Sequence, residues 1–435
     1  MFKRLVLGSL GLAVIAVLGL WILAYRPAID TIAAPGAGSF LPERIAQGEV
    51  LAAAGYCATC HTAAGGAPYA GGYPMETEFG TLYSTNITPD ADTGIGQWSE
   101  AAFLRAMQQG VSRDGSHHFP AFPYQHFNQV SDEDIGAIYA YLMSLPPVNA
   151  PAKAPDIAFP LNLRMLQAGW KLLYFRDDAY GPVTGGSPEW NRGAYLAEGL
   201  AHCSACHSPR NGLGAELTGE AERYAGAAID GWYAPPLKAA NTAAVAWSQD
   251  ELFAYLRNGG TALHGVAVGP MSPVVHAGLA RLPEADVRAI AVYFADRFGP
   301  AADTATTAAI VARALASGTP VIGQPSPAGE QLYAAACGSC HFNSGPVPAL
   351  LRVDLGLNSA LSASDPSNLL QVILHGVGVE EGLPDVMMPG FAHAFSNDQV
   401  VTLAAWLRSQ RTSLAPWPDL AARVDALNPP SPPAP

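Results

Sequence analysis

All six cysteines of this 435-residue chain fall into three C-x-x-C-H strings: Cys57, Cys60 and His61; Cys203, Cys206 and His207; Cys337, Cys340 and His341. The spacing has a chemical reason. Two thiols three residues apart reach the two vinyl groups along one edge of a porphyrin, and the adjoining histidine then turns its imidazole to the iron. A zinc site would need a second Cys or His pair at its own spacing. A C-x-x-C redox disulfide has no use for the histidine. The strings therefore predict three covalent c-type haems, and with them a fold in which each domain closes around an apolar prosthetic group. Composition agrees: with 44 Gly, 37 Pro and only 14% charged residues, the chain is rich in loops that need such a core. Its length suits about three domains of roughly 100 to 200 residues. A net charge of -13 with 23 Lys plus Arg excludes a nucleic-acid partner, which requires clustered cations.

From Leu5 to Tyr25 the chain carries no charge, and Lys3 and Arg4 precede this run. A helix of that length, at about 1.5 Å per residue, matches the roughly 30 Å hydrocarbon core of a bilayer. The run is longer than the apolar core of a signal peptide and lacks an A-x-A cleavage site. The expectation is a retained single-pass anchor in the inner membrane, cations on the cytoplasmic side and haem domains in the periplasm.

The sequence around the three strings repeats as well. Ala-rich helical stretches begin near Gly48, Gly193 and Gly329, and later amphipathic helices end at Gly110, Gly259 and Gly376. Counting twelve residues onward from these last three glycines reaches Phe122, Met271 and Met388. A thioether opposite the proximal histidine favours Fe(II) and raises the potential of an electron-transfer haem, so Met271 and Met388 are the expected sixth ligands. Phe122 has no donor atom. His117, His118 and His126 lie within five residues of it; His126 is the first alternative and His117 the second. Each repeat closes with a helix in which Tyr141, Tyr293 and Trp406 align, where an aromatic packs against small residues of the opening helix.

With helical patterns dominant and no sustained alternation, the expected fold is all-α: three tandem haem domains after one N-terminal transmembrane helix. The boundaries are an anchor over 1–30, domains over 40–148, 186–300 and 325–415, a connector over 149–185, a linker over 301–324 and a Pro-rich tail over 416–435. Between the first two domains IAFPLNLRMLQAGWKLLYF reads as a docked connector rather than a second span.

The chain resembles the triple-haem cytochrome c subunits of bacterial membrane-bound dehydrogenases. The likeness rests on RPAI after the apolar run, TLYSTNITPD, WSEAAFLRAM, FPAFPYQHF, EWNRGAYLAEGLAHCSACHSPRN and MMPGF. It implies class I cytochrome c-like domains and a catalytic partner subunit of flavin, PQQ or molybdopterin type, with an iron–sulfur or small subunit. Electrons would pass on to ubiquinone. Many members carry Met in an A-M-P-Y string where this chain has Ala121-Phe122-Pro123-Tyr124. The Phe resembles the branch that accompanies molybdopterin hydroxylases of the aldehyde and isoquinoline oxidoreductase type. No P-loop, G-x-G-x-x-G or G-x-S-x-G elbow is found, so no substrate chemistry is expected of this chain. The competing readings are a cytochrome subunit of another respiratory complex and a peroxidase-like enzyme with an open first haem.

Overall fold

The computed structural model describes residues 2, 18–318, 326–341, 347–351, 353–383 and 386–429. The chain divides into two compact units. One comprises Met1–Gly186 with Ala194–Cys203 and Asn211–Ala215; the other comprises Ser187–Gly193, Ser204–Arg210 and Glu216–Pro435.

One three-helix plan recurs three times. The opening, middle and closing helices are Pro42–Ala54, Glu100–Gln109 and Asp132–Ser144 in the first repeat. They are Pro188–Tyr195, Gln249–Asn258 and Glu284–Phe298 in the second, and Ala328–Ala336, Ser367–His375 and Asn397–Arg411 in the third. Local sequence sets their ends. The hydroxyls of Ser99, Ser131, Ser248 and Ser396 accept bonds from the Ala102, Asp134, Glu251 and Gln399 amides, satisfying donors that a helix start leaves unpaired. Gly110, Gly259 and Gly376 end the middle helices at positive φ (61°, 85° and 78°), a conformation that any side chain would strain.

The opening and closing helices cross at a distance only glycine allows. A Cβ on Gly48 would lie 1.9 Å from Ala137 O and 2.8 Å from Tyr141 Cβ. On Gly193 it would lie 1.9 Å from Ala289 O and 2.9 Å from Tyr293 Cβ; on Gly329, 2.2 Å from Trp406 Cβ. The aligned aromatics thus seat on the three glycines, and the cores of the repeats build outward from these crossings. The first buries Ile135, Ile138 and Leu142; the second Val287, Ile290 and Phe294; the third Leu370, Val400 and Leu403.

The all-α expectation is corrected by short antiparallel ladders. Pro74–Thr77 pairs with Gly80–Tyr83, which also pairs with Asp156–Ile157; Ala227–Ile229 pairs with Trp232–Ala234; Gly260–Thr261 pairs with Gly265–Val266. Strands of two to four residues are too short to display a period of two, so the pattern gave no sign of them.

The transmembrane helix is corrected too. No helix among the described residues is long and apolar enough to cross a membrane, and the single-pass inner-membrane placement that rested on it falls with it. Most of the Leu5–Tyr25 run lies outside the described residues, which take in 18–24 of it as helix. Past this helix the RPAI segment lies on the first repeat: Arg105 Nη1 donates to Pro27 O at 2.7 Å and Ile29 N donates to Arg113 O at 2.8 Å.

The connector docks through the helix Leu166–Tyr174, whose Trp170 ring meets Tyr124 edge-on at 6.4 Å. The third core extends beyond 415, since Trp417, Leu420 and Val424 are buried in it.

Adding a methyl group at the first or second crossing must force the closing helix away, because the obstacle is a backbone carbonyl. Gly193→Ala is expected to destabilise the protein by about 3 kcal/mol or more, read as a lowered midpoint in denaturant unfolding. An unchanged midpoint would show that the crossing carries no such constraint.

Candidate haem-binding sites

In each repeat the C-x-x-C-H string sits on a tight turn after the opening helix. The turn is Cys57–Cys60 in the first repeat and Ser204–His207 in the second, and in the third His341 N donates back to Cys337 O at 2.9 Å. The first cysteine faces inward and the second outward: Cys57 and Cys203 are half-buried, Cys337 is buried, and Cys60, Cys206 and Cys340 are exposed. Burial with the neighbouring Cys60 pushes the Cys57 thiol up to about 12.

The three histidines share one arrangement. His61 Nδ1 lies 2.7 Å from Thr85 O, His207 Nδ1 lies 2.7 Å from Pro235 O, and His341 Nδ1 lies 3.4 Å from Val353 O. A carbonyl only accepts, so each Nδ1 carries the proton and donates it, which leaves Nε2 as the nitrogen with a lone pair. Burial lowers the pKa of all three imidazoles, with the carbonyl bond opposing, so they stand neutral. A neutral imidazole with one nitrogen tethered behind it and the other bare is what an iron ligand must be. The cysteine pair directly before each histidine completes the fit to a covalent haem.

The carbonyls come from backbone, which is why the sequence did not show them. In the first two repeats the ladders deliver them: Gly80–Tyr83 ends two residues before Thr85, and Trp232–Ala234 ends immediately before Pro235. Side chains then pin the loop. Asn86 Oδ1 accepts from Thr88 N at 2.9 Å, while its Nδ2 donates to Val148 O at 2.7 Å and Thr93 Oγ1 at 3.0 Å. Asn241 Nδ2 donates to Pro236 O at 2.7 Å. In the third repeat Asp354, next to Val353, accepts bonds of 2.9 and 2.8 Å from Arg411 Nη2 in a buried ion pair. The TNITP string was the visible trace of the first of these.

The candidate sixth ligands are placed less uniformly than the count of twelve implied. After each middle helix the chain returns to form a bridge: Val111 with His117, Gly260 with Val266, Val377 with Met388. Met388 therefore sits on the returning arm itself, exchanging 2.9 and 3.0 Å backbone bonds with Val377, whereas Phe122 and Met271 lie five residues past their arms. Equal sequence counts hide a longer third loop. Met388 and Met271 are half-buried, and Met387 is 64% exposed.

Around Phe122 the three histidines differ. His117 is engaged at both ring nitrogens, by Ala24 O at 2.9 Å and Lys171 Nζ at 3.0 Å. His126 Nδ1 lies 3.0 Å from Glu198 O, the same kind of tether that holds His61, His207 and His341. The His118 ring packs edge-on against Phe122 at 5.4 Å. Lys171, which sequence reasoning missed, also donates to Gln109 O and Gly110 O at 2.6 and 2.7 Å, fixing the start of this loop.

Helical domains closed around C-x-x-C-H turns with tethered imidazoles define a c-type cytochrome. The cytochrome c family model matches residues 45–146, and that of cytochrome c oxidase, cbb3-type, subunit III matches 324–407, so at least two haem c domains are present. The chain is 37% identical over 381 residues to the gluconate 2-dehydrogenase cytochrome c subunit of Pantoea cypripedii, covering 84% of this chain and 85% of that one. It is 34% identical over 397 residues to the alcohol dehydrogenase (quinone) cytochrome c subunit of Komagataeibacter europaeus, covering 88% and 84%. Over 406 residues, 92% of this chain, it is 46% identical to a nicotinate dehydrogenase subunit of Pseudomonas putida, of whose length it spans 33%. The chain belongs to the family of dehydrogenase cytochrome c subunits: it carries electrons and does not itself oxidise the substrate.

Removing a side chain that pins one of these loops frees the carbonyl behind the imidazole. Asn86→Ala is expected to cost about 1–3 kcal/mol, since it strands buried backbone partners. Arg411→Met leaves Asp354 an unpaired buried charge and is expected to cost about 3–5 kcal/mol. Denaturant titrations of the matured proteins measure both; a smaller loss in Arg411→Met than in Asn86→Ala would contradict the assignment.

Proposed function

We propose that this chain binds three haems c, one in each of the domains 40–148, 186–300 and 325–415, and relays single electrons from a catalytic dehydrogenase subunit to ubiquinone. The observation that carries the reading is the same Nδ1-to-carbonyl tether on His61, His207 and His341, each directly after its cysteine pair. A haem bound there supplies a one-electron Fe(III)/Fe(II) couple. Cys57 and Cys60, Cys203 and Cys206, and Cys337 and Cys340 would attach the groups, and the tethered imidazoles would each present Nε2. Met271 and Met388 are the proposed sixth ligands of the second and third domains. Half-burial supports Met388 over the exposed Met387. For the first domain we favour His126, whose tether to Glu198 O repeats that of His61, His207 and His341; His117, the alternative, meets Ala24 O and Lys171 Nζ.

The partner is proposed to be a molybdopterin hydroxylase acting on an N-heterocycle. Support comes from the Ala121-Phe122-Pro123-Tyr124 string and from the 46% identity to a nicotinate dehydrogenase subunit. Ubiquinone as acceptor is supported by the relative described as an alcohol dehydrogenase (quinone). The match of residues 324–407 to an oxidase subunit favours a respiratory-complex role, but it covers one domain, whereas the gluconate and alcohol dehydrogenase cytochrome subunits align over most of both chains.

A pyridine haemochrome assay on matured protein is expected to give three haems per chain; two or fewer would defeat the proposal. The weak sulfur-to-iron band at the red end of the oxidised spectrum should vanish in the Met271→Leu, Met388→Leu double variant, and its persistence would remove both ligands. His126→Ala should convert a low-spin EPR signal of the first haem to high spin, with that haem the lowest of the three in potential. An unchanged spectrum would exclude His126.

A further inference from the structure

We propose that Tyr56 and His202 form the bridge through which an electron crosses between the haems attached at Cys57 and Cys203. The inference rests on the haem assignment above. Each residue stands immediately before the first cysteine of its string, and both adopt the left-handed conformation, with φ of 55° and 35°. A tyrosine or histidine is strained there, so two such residues at equivalent places call for a shared reason. The rings meet: their centroids are 5.2 Å apart and their planes are at 89°.

The segments around the two rings are closely packed. A Cβ on Gly55 would lie 3.0 Å from Leu200 Cδ1, and one on Gly199 would lie 3.3 Å from Val130 Cγ2. The segments that lead into the first two strings therefore pack against one another, within a single compact unit that takes in both Cys57 and Cys203. The imidazole of His202 also touches the loop beyond Phe122, with Phe127 at 5.6 Å and His126 at 6.1 Å. The third string differs: Ala336 precedes Cys337 and stays in the right-handed helix.

Electron tunnelling weakens steeply across empty space and far less through bonded and closely packed atoms. Tyr56 is bonded through the backbone to Cys57, and His202 to Cys203, so the edge-on ring contact leaves a single through-space step between the two attachment segments. The step would move one electron between the haem irons that His61 and His207 would hold, one passing from Fe(II) to Fe(III) as the other passes from Fe(III) to Fe(II). No proton needs to move.

The test uses the full chain in its complex with the partner subunits. One haem is reduced by a radiolytic or photochemical pulse, and re-equilibration between the first two haems is followed by optical and freeze-quenched EPR signals. His202→Asn removes the ring while keeping a residue type that tolerates positive φ. It is expected to slow the exchange by at least an order of magnitude, with three haems bound and all midpoint potentials unchanged. His202→Tyr, which copies Tyr56, should restore the rate. Tyr56→Asn should repeat the loss and serves as the measurement if His202→Asn does not mature. An unchanged rate in a fully loaded variant would overturn the bridge, as would slowing accompanied by a shift of either potential, which would mark the pair as merely structural. A wild-type chain with fewer than three haems would instead overturn the haem assignment.

Discussion

The close crossing of the opening and closing helices is the constraint from which each domain is built. The glycine that permits it lies two to three turns before the cysteine pair, so the crossing fixes where the C-x-x-C-H turn begins. With Ala137 O and Ala289 O standing where a Cβ would be, the opening helix cannot slide or rotate without opening the core. The aromatic on the closing helix then covers the glycine, and the remaining loops need only bring a carbonyl to the imidazole and a ligand to the far side.

The three domains solve that second task with different chemistry. In the first and second, a short ladder and an asparagine hold the loop; in the third, a buried Asp354–Arg411 pair takes the place of both. A neutral amide is satisfied by backbone partners alone, whereas a buried carboxylate demands a cation with matched geometry. Arg411 ends the closing helix of the third domain, so there the imidazole's support is tied to the helix that makes the crossing.

What was legible in the sequence followed from covalent or steric rules with a fixed spacing. The cysteine strings, the helix-ending glycines and the aromatics of the closing helices all showed, because thioether geometry, positive φ and close crossing each admit few residue types. The Nδ1 acceptors at Thr85, Pro235 and Val353 did not show, since a backbone carbonyl leaves no mark on residue identity. The ladders were too short to display alternation. The count of twelve to Met388 matched the other repeats in number but not in place, because the third loop returns later to its bridge.

The hairpin over Ala227–Ala234 shows how attachment and domain packing are linked in the second unit. Its far end leads into Pro235, whose carbonyl meets His207, while its turn exchanges bonds with the third domain's middle helix: Tyr233 N to Asn368 Oδ1 and Asn368 Nδ2 to Tyr233 O, both 2.8 Å, and Gln371 Nε2 to Gly231 O at 3.1 Å. One two-stranded element thus orients the His207 imidazole and grips the neighbouring domain. A displacement of the third domain would be felt at His207 through a few residues of hairpin backbone. Electron exchange depends on fixed separations, so a chain built from loop-rich repeats needs such shared elements where the repeats meet. In the first unit the same need is met by rings rather than a ladder, at the contact of Tyr56 with His202.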